Sequence, residues 1–302
     1  MIEEFTVLNW NIGGAKYLQE EKNKREKTRE ELNDELNNLI KRYKEPCVIT
    51  LQEIVRYGAS NQNVVEIIDP IEHYTYYSFP LIDSDRLSSK AKWNKIKRLG
   101  GWPPKTFFAQ GNAMIFRDNM PHFPVWNLAT SSMHRHDEER HFIEQVNLEN
   151  GLYFGDRNTE PRAALVAHFI LNPGGENTMP LDIFVVNLHL TTLMLEREGI
   201  PEIDIKATQI RLNQLNVIFC GIVSRYNTWK RQKFPERGEP RETWENGETD
   251  KRHEPVWILA GDFNFTQESE EYETIQRMNF IDVVPNKGGG TKAKGADNPP
   301  PR

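Results

Sequence analysis

Apolar residues fall along this chain in short bursts, six of which read as strands. Runs rich in β-branched and aromatic side chains occur at residues 5–10 (FTVLNW), 47–52 (CVITLQ), 112–116 (NAMIF), 162–170 (RAALVAHFI), 181–190 (LDIFVVNLHL) and 256–262 (VWILAGD). Two fainter runs lie at 74–80 and 141–148. From Thr28 the spacing turns helical: Thr28 and Glu31 stand in capping-box positions, and Leu32, Leu36, Leu39, Ile40 and Tyr43 follow at helical intervals. Helical spacing returns over 204–226 and 268–278. Strands with a few interspersed helices predict a mixed α/β domain.

Polar segments interrupt this pattern. Residues 83–105 carry Arg86, Lys90, Lys92, Lys95, Lys97, Arg98 and Lys105 with Trp93 and Trp102, and no acid after Asp85. Residues 227–255 mix both signs of charge with Pro, Gly and Trp, as a long surface loop does. The pattern therefore predicts one domain over 1–285 with insertions at 83–105 and 227–255. The Gly-, Lys- and Pro-rich 286–302 reads as a mobile tail or the start of further strands.

The formal net charge of −6 argues against a protein held to nucleic acid by overall positive charge, which leaves a local basic patch as the means of contact. Cys47 and Cys220 both lie in apolar segments and predict buried free thiols in a reducing compartment. The chain opens without a basic, apolar leader, and its longest apolar runs fall short of the roughly 20 residues that span a bilayer. A cytoplasmic protein without membrane insertion is expected.

Four apolar strands end on residues with chemical potential. "LNWNIGG" presents Asn11, "VITLQEI" presents Gln52 and Glu53, "VVNLHLTT" presents Asn187, His189 and Thr191, and "LAGDFNF" presents Asp262 and Asn264. Residues two apart on a strand share a face, so Asp262 and Asn264 project together. Each has an ordinary reading on its own: Asn11 as a turn residue, Glu53 as a surface carboxylate, His189 as a satisfied core histidine. Together they supply a hard oxygen ligand for Mg²⁺, a water-orienting acid and donors for phosphate.

The order of "WN" followed by Gly, "LQE", a strand ending in His-Leu, and "GDFN" resembles the endonuclease/exonuclease/phosphatase superfamily, with its deoxyribonuclease I-like fold. "QGNAMIF" at 110–116, "EPRAALVAHF" at 160–169 and "RLNQL" at 211–215 are similar to its intermediate strands and following helix, so the resemblance spans about residues 5–285. It implies a two-sheet β-sandwich flanked by helices, with the site where strand ends converge. It further implies Mg²⁺ or Mn²⁺ on Glu53 with Asn11 beside it, Asp262 orienting or deprotonating water, and Asn264 holding phosphate. His189 would sit near the leaving group or a non-bridging oxygen. Arg162 would help position phosphate, or else pair with Glu160 or Asp156.

The superfamily's last strands carry an Asp in a "DY" stretch and then an Asp-His pair, and this sequence has no His after His253. Three explanations stand: a piece of a longer protein, a copy that binds without cutting, or a substitute histidine such as His168, His134 or His136. The expected activity is Mg²⁺-dependent hydrolysis of phosphodiester bonds in DNA or RNA. The alternatives are a phosphatase of phosphoinositides or other small phosphoesters and a catalytically impaired nucleic-acid-binding module. Lys95, Lys97 and Arg98 would track the phosphate backbone while Trp93 and Trp102 stack bases, unless those tryptophans pack back onto the domain.

Overall fold

The computed structural model describes residues 5–60, 62–83, 90–118, 120, 122–123, 143–147, 162–171, 181–193, 196, 199–224 and 255–283. The expected polar loop at 227–255 lies outside these residues apart from its end, as do 286–302, His134 and His136.

The apolar runs become β1 (Val7–Asn11), β2 (Val48–Ser60), β3 (Asn63–Glu66), β4 (Tyr74–Asp83), β5 (Phe107–Arg117), β6 (His122–Phe123), β7 (Ile143–Asn147), β8 (Ala163–Leu171), β9 (Leu181–His189) and β10 (Val256–Asp262). The helices are α1 (Gly14–Tyr17), α2 (Lys22–Arg42), α3 (Lys90–Leu99), α4 (Pro201–Asn216), which continues into a π-helical turn over Val217–Val223, and α5 (Glu270–Arg277). One sheet runs β1-β2-β5-β4 with β3 beside β2; the other runs β10-β9-β8-β6 with β7 beside β8.

The strands are apolar without alternation because both faces of each sheet are covered. Ile49, Leu51 and Ile115 point outward to Leu36 and Ile40 of α2 and Trp93 and Ile96 of α3. Val48, Met114, Phe116, Leu165, Phe169, Ile183 and Val185 meet between the sheets. Val166, Phe184, Val186 and Leu188 face Leu215 of α4 and Ile218 and Ile222 of the π turn. The result is four layers, helix–sheet–sheet–helix, which is the flanked two-sheet sandwich that the resemblance implies.

Several elements differ from the sequence pattern. α2 begins at Lys22, so Thr28 is no N-cap; its hydroxyl donates to Glu20 Oε2 at 2.6 Å. The early start is held by Arg25, whose buried guanidinium reaches the Glu20 carbonyl and, at 2.5 Å, the Gly100 carbonyl while lying over the Trp102 ring. Residues 90–99 of the expected polar insertion form α3. Cys47 is buried as expected, but Cys220 is exposed.

Three tyrosines tie the first sheet to its surroundings. Tyr17 donates to Tyr57 Oη at 3.0 Å, Tyr74 to the Pro46 carbonyl at 2.9 Å and Tyr76 to Glu66 at 3.3 Å. Burial disfavours each phenolate, aided by Tyr57 beside Tyr17 and by Glu66 beside Tyr76, and Tyr74 is pushed up to about 12. A phenol raised in the folded state stabilises the fold fully below its unfolded value, near 10, and that contribution is lost as pH climbs through the folded value. Stability is therefore expected to fall above about pH 10. The tyrosinate absorbance that is lost on Tyr17→Phe, Tyr74→Phe or Tyr76→Phe substitution should rise together with loss of the far-ultraviolet dichroism; ionisation of these three well before unfolding would contradict it.

Candidate active site

Two parallel pairings bring the ends of β1, β9 and β10 and the middle of β2 to one place. β1 runs parallel to β2 with Asn11 opposite Gln52, and β10 runs parallel to β9 with Asp262 opposite His189. The two edge strands then meet across the sandwich, where Asn9 Nδ2 donates to the Gly261 carbonyl at 3.1 Å. Gly261 has φ 149°, and a Cβ there would lie 2.0 Å from the Leu188 carbonyl oxygen. Only glycine lets β10 approach β9 so closely.

Glu53 is aimed by a bulge. The β2–β5 register passes from Leu51 opposite Ala113 to Ile54 opposite Gly111, so Gln52 and Glu53 together face one residue. Glu53 takes φ 55°, a conformation that costs a non-glycine residue of order 1–3 kcal/mol and is kept only where neighbours enforce it. The enforcing neighbour is α1: a Cβ on Gly14 would stand 2.1 Å from the Glu53 carbonyl oxygen. The half-buried side chain of Glu53 lies at this bulge, within β2.

Asn11 joins the two carboxylates. Its Nδ2 donates to Asp262 Oδ2 at 2.8 Å and stands 3.5 Å from Glu53 Oε1, while its Oδ1 accepts from Gly13 N at 3.0 Å. The reverse orientation would set an oxygen against two carboxylates and a nitrogen against an N–H, so the network fixes the amide. As oriented, Asn11 spaces the carboxylates and turns its oxygen to the backbone, not towards a cation beside Glu53. Asp262 Oδ1 accepts from Asn264 N at 3.1 Å, and Asn264, at φ 54°, donates through Nδ2 to the Leu190 carbonyl at 2.9 Å.

His189 and Arg162 are both buried and form the opposite wall. Arg162 Nη1 lies 3.1 Å from His189 Nδ1. A guanidinium has only donors, so Nδ1 accepts and the ring proton sits on Nε2. Nε2 faces Glu53 Oε1 at 3.9 Å, a separation for electrostatics rather than a hydrogen bond. Arg162 thus meets His189; Glu160 and Asp156 lie outside the described residues.

Gln52, Asn187 and Asn9 lie beneath this group as an inter-sheet clamp. Asn187 Nδ2 donates to the Leu51 and Ala113 carbonyls at 3.0 and 2.8 Å, and its Oδ1 accepts from Gln52 Nε2 at 2.7 Å. Asn9 Oδ1 accepts from Gln52 Nε2 at 2.9 Å and Thr50 Oγ1 at 2.8 Å. Gln52 and Asn187 are fully buried, so they are not presented at the strand ends as their spacing suggested. Asn9 was missed, although it stands two residues before Asn11.

The basic segment divides. Lys95 and Arg98 are exposed, and Lys97 Nζ donates to the Pro104 carbonyl at 3.3 Å. Trp93 is 1% exposed and stacks on Phe108, so its ring offers no face to a base. Trp102 packs edge-on to Phe108 and Tyr57, takes Arg25 on its face and donates Nε1–H to the Leu18 carbonyl at 2.8 Å. Both tryptophans pack onto the domain. His168 also stands away from the site: it bonds Asp182 at 2.8 Å and stacks on Phe184, five residues or roughly 17 Å along β9 from His189. It is no substitute for a terminal histidine.

No protein-family model and no curated protein sequence matches the chain. Among solved structures it is similar to a humanized D. rerio TDP2 carrying 14 mutations, at 12% identity and TM-score 0.37, covering 90% of this chain and 66% of that one. It is similar also to TDP2 from Caenorhabditis elegans, at 13% identity and TM-score 0.35 over 87% and 48% of the two chains. The human Nocturnin catalytic domain with bound sulfate matches at 15% identity and TM-score 0.39 over 90% and 68%. The chain thus spans about half to two thirds of the length of these structures. Likenesses this distant say nothing of which substrate the site takes.

Proposed function

We propose that this chain hydrolyses phosphodiester bonds in DNA or RNA by attack of water, with help from a divalent cation. The observation that carries the reading is the arrangement of Glu53 and Asp262 around the Asn11 amide, opposite His189 backed by Arg162. One side suits a cation and a water; the other suits phosphate oxygens.

The donor set fits magnesium. Among the described residues no cluster of three or more His, Cys, Asp or Glu is arranged to hold a metal. Mg²⁺ keeps several waters and takes one or two carboxylates, so Glu53 alone is a sufficient protein anchor. Glu53 Oε1 has its nearest polar neighbours at 3.5 and 3.9 Å, which leaves its charge for a cation. Bound there, Mg²⁺ would supply neutralisation of the charge that builds on the phosphoryl oxygens. Asp262 orients the water and accepts its proton as the new P–O bond forms and the ester P–O bond breaks, the leaving oxygen taking its proton from solvent water. His189 Nε2–H donates to a phosphate oxygen, Arg162 holds that tautomer and adds positive charge, and Asn264, one of whose Nδ2–H groups goes to the Leu190 carbonyl, donates the other to phosphate. Exposed Lys95 and Arg98 contact the polynucleotide backbone.

The test is cleavage of plasmid and labelled single strands with Mg²⁺, with EDTA, and with Glu53→Gln. Removal of the cation should abolish cleavage, and Glu53→Gln should raise the Mg²⁺ concentration needed for half-maximal rate on the order of 10-fold or more. Cleavage indifferent to EDTA would refute the reading. Turnover of small phosphoesters without polynucleotide cleavage would favour a phosphatase instead.

A further inference from the structure

One buried polar cluster lies behind this site. Arg211 and Gln214, three residues apart on α4, both face Thr191, two residues beyond His189. Gln214 Oε1 accepts from Thr191 N at 3.1 Å, and its Nε2 donates to Thr191 Oγ1 at 2.8 Å. Arg211 Nη1 donates to the Thr191 carbonyl at 3.1 Å and to Glu196 Oε1 at 2.6 Å, and its Nε donates to Glu271 Oε1 of α5 at 2.7 Å. Every polar group of Thr191 is thereby held from α4.

The ladder between β9 and β10 stops at His189 opposite Asp262. Beyond it, Leu190 N donates to the Asp262 carbonyl at 2.9 Å and the Leu190 carbonyl accepts from Asn264 Nδ2 at 2.9 Å. The backbone at 190–191 thus fixes where His189, Asp262 and Asn264 stand, and α4 fixes that backbone. We propose that Arg211 and Gln214 are positioning residues for the hydrolytic site, acting through Thr191 and Leu190; the proposal rests on the hydrolytic reading above. A buried ion cluster can instead serve stability alone. The contacts to the main chain of Thr191, at the point where the ladder bonds run out, distinguish this one.

Arg211→Lys keeps the charge and loses the planar fork that reaches Thr191, Glu196 and Glu271 at once. Gln214→Met keeps the side-chain length and loses both bonds to Thr191. In each, kcat is expected to fall roughly 10- to 100-fold, with KM within about 2-fold. The His189 ring nitrogen signals in selectively labelled protein should shift. Asn33→Ala provides destabilisation elsewhere, since Asn33 holds the Ile67 carbonyl at 3.0 Å and Asp69 N at 2.8 Å behind the first sheet. It should lower the melting temperature and leave kcat and the His189 signals unchanged. Unmoved His189 signals with unchanged kcat in both α4 variants would overturn the proposal. Should the native protein cleave no phosphodiester, the hydrolytic reading fails and the His189 signals decide: displacement in both variants upholds positioning, and none overturns it.

Discussion

Asp262→Asn is expected to lower phosphodiester turnover by about 10²–10⁴-fold, the range for loss of a positioned general base. The substitution keeps size and shape, and its carbonyl oxygen still accepts from Asn264 N, so the strand exit survives. What it loses is the second acceptor, now a nitrogen facing Asn11 Nδ2, where 2.8 Å separates the native pair. A hydrogen bond to a carboxylate is worth about 1.5–3 kcal/mol, so the melting temperature should fall by several degrees while the protein remains folded at the assay temperature. A large loss of rate in protein that is still folded therefore isolates the chemical role. Turnover within a few-fold of native would remove Asp262 from it.

The second large effect falls on stability. Asn187→Leu is similar in volume and opens little cavity, but it removes one donor from each of the Leu51 and Ala113 carbonyls and leaves one N–H of Gln52 without its acceptor. Each buried hydrogen bond lost costs about 0.5–1.5 kcal/mol, and a buried group left without a partner about 1–3 kcal/mol. The sum, discounted because the groups share one site, is about 3–5 kcal/mol, a sizeable part of the 5–15 kcal/mol typical of a domain. Urea denaturation should show a lower midpoint at unchanged slope. Adding Gln52→Leu should recover part of the loss, because it removes a stranded donor along with its acceptor. A single-variant cost below about 1 kcal/mol would mean that the clamp does not hold the sheets together.

The sequence pattern located most strands, because strands buried on both faces read as unbroken apolar runs, and the candidate site residues were singled out where polar side chains interrupt or end those runs. It was less informative where pairing decides the outcome. Gln52 and Glu53 are adjacent, so alternation already turns them to different faces, but the direction in which Glu53 points is then set by the bulge against β5, which the apolar pattern does not record. Asn187 and His189 share a face, but two residues, about 7 Å, carry the strand from the buried clamp to the site. In "KAKWNKIKRL" the lysines read as part of a polar, basic insertion, whereas Trp93 and Ile96, three apart, form the buried face of a helix. The start of α2 rests on a buried arginine, which a search for apolar periodicity passes over.

The contact between the edge strands joins residues far apart in sequence. Asn9 meets Gly261 across 252 positions, and Asn11 meets Asp262 across 251. During synthesis at about 5–20 residues per second, that interval lasts roughly 10–50 s. Once β5 has emerged Glu53 can sit in its bulge, and for the rest of that time Asp262, the carboxylate across the Asn11 amide from it, has not yet been made. A nascent chain therefore carries no complete site until β10 has emerged.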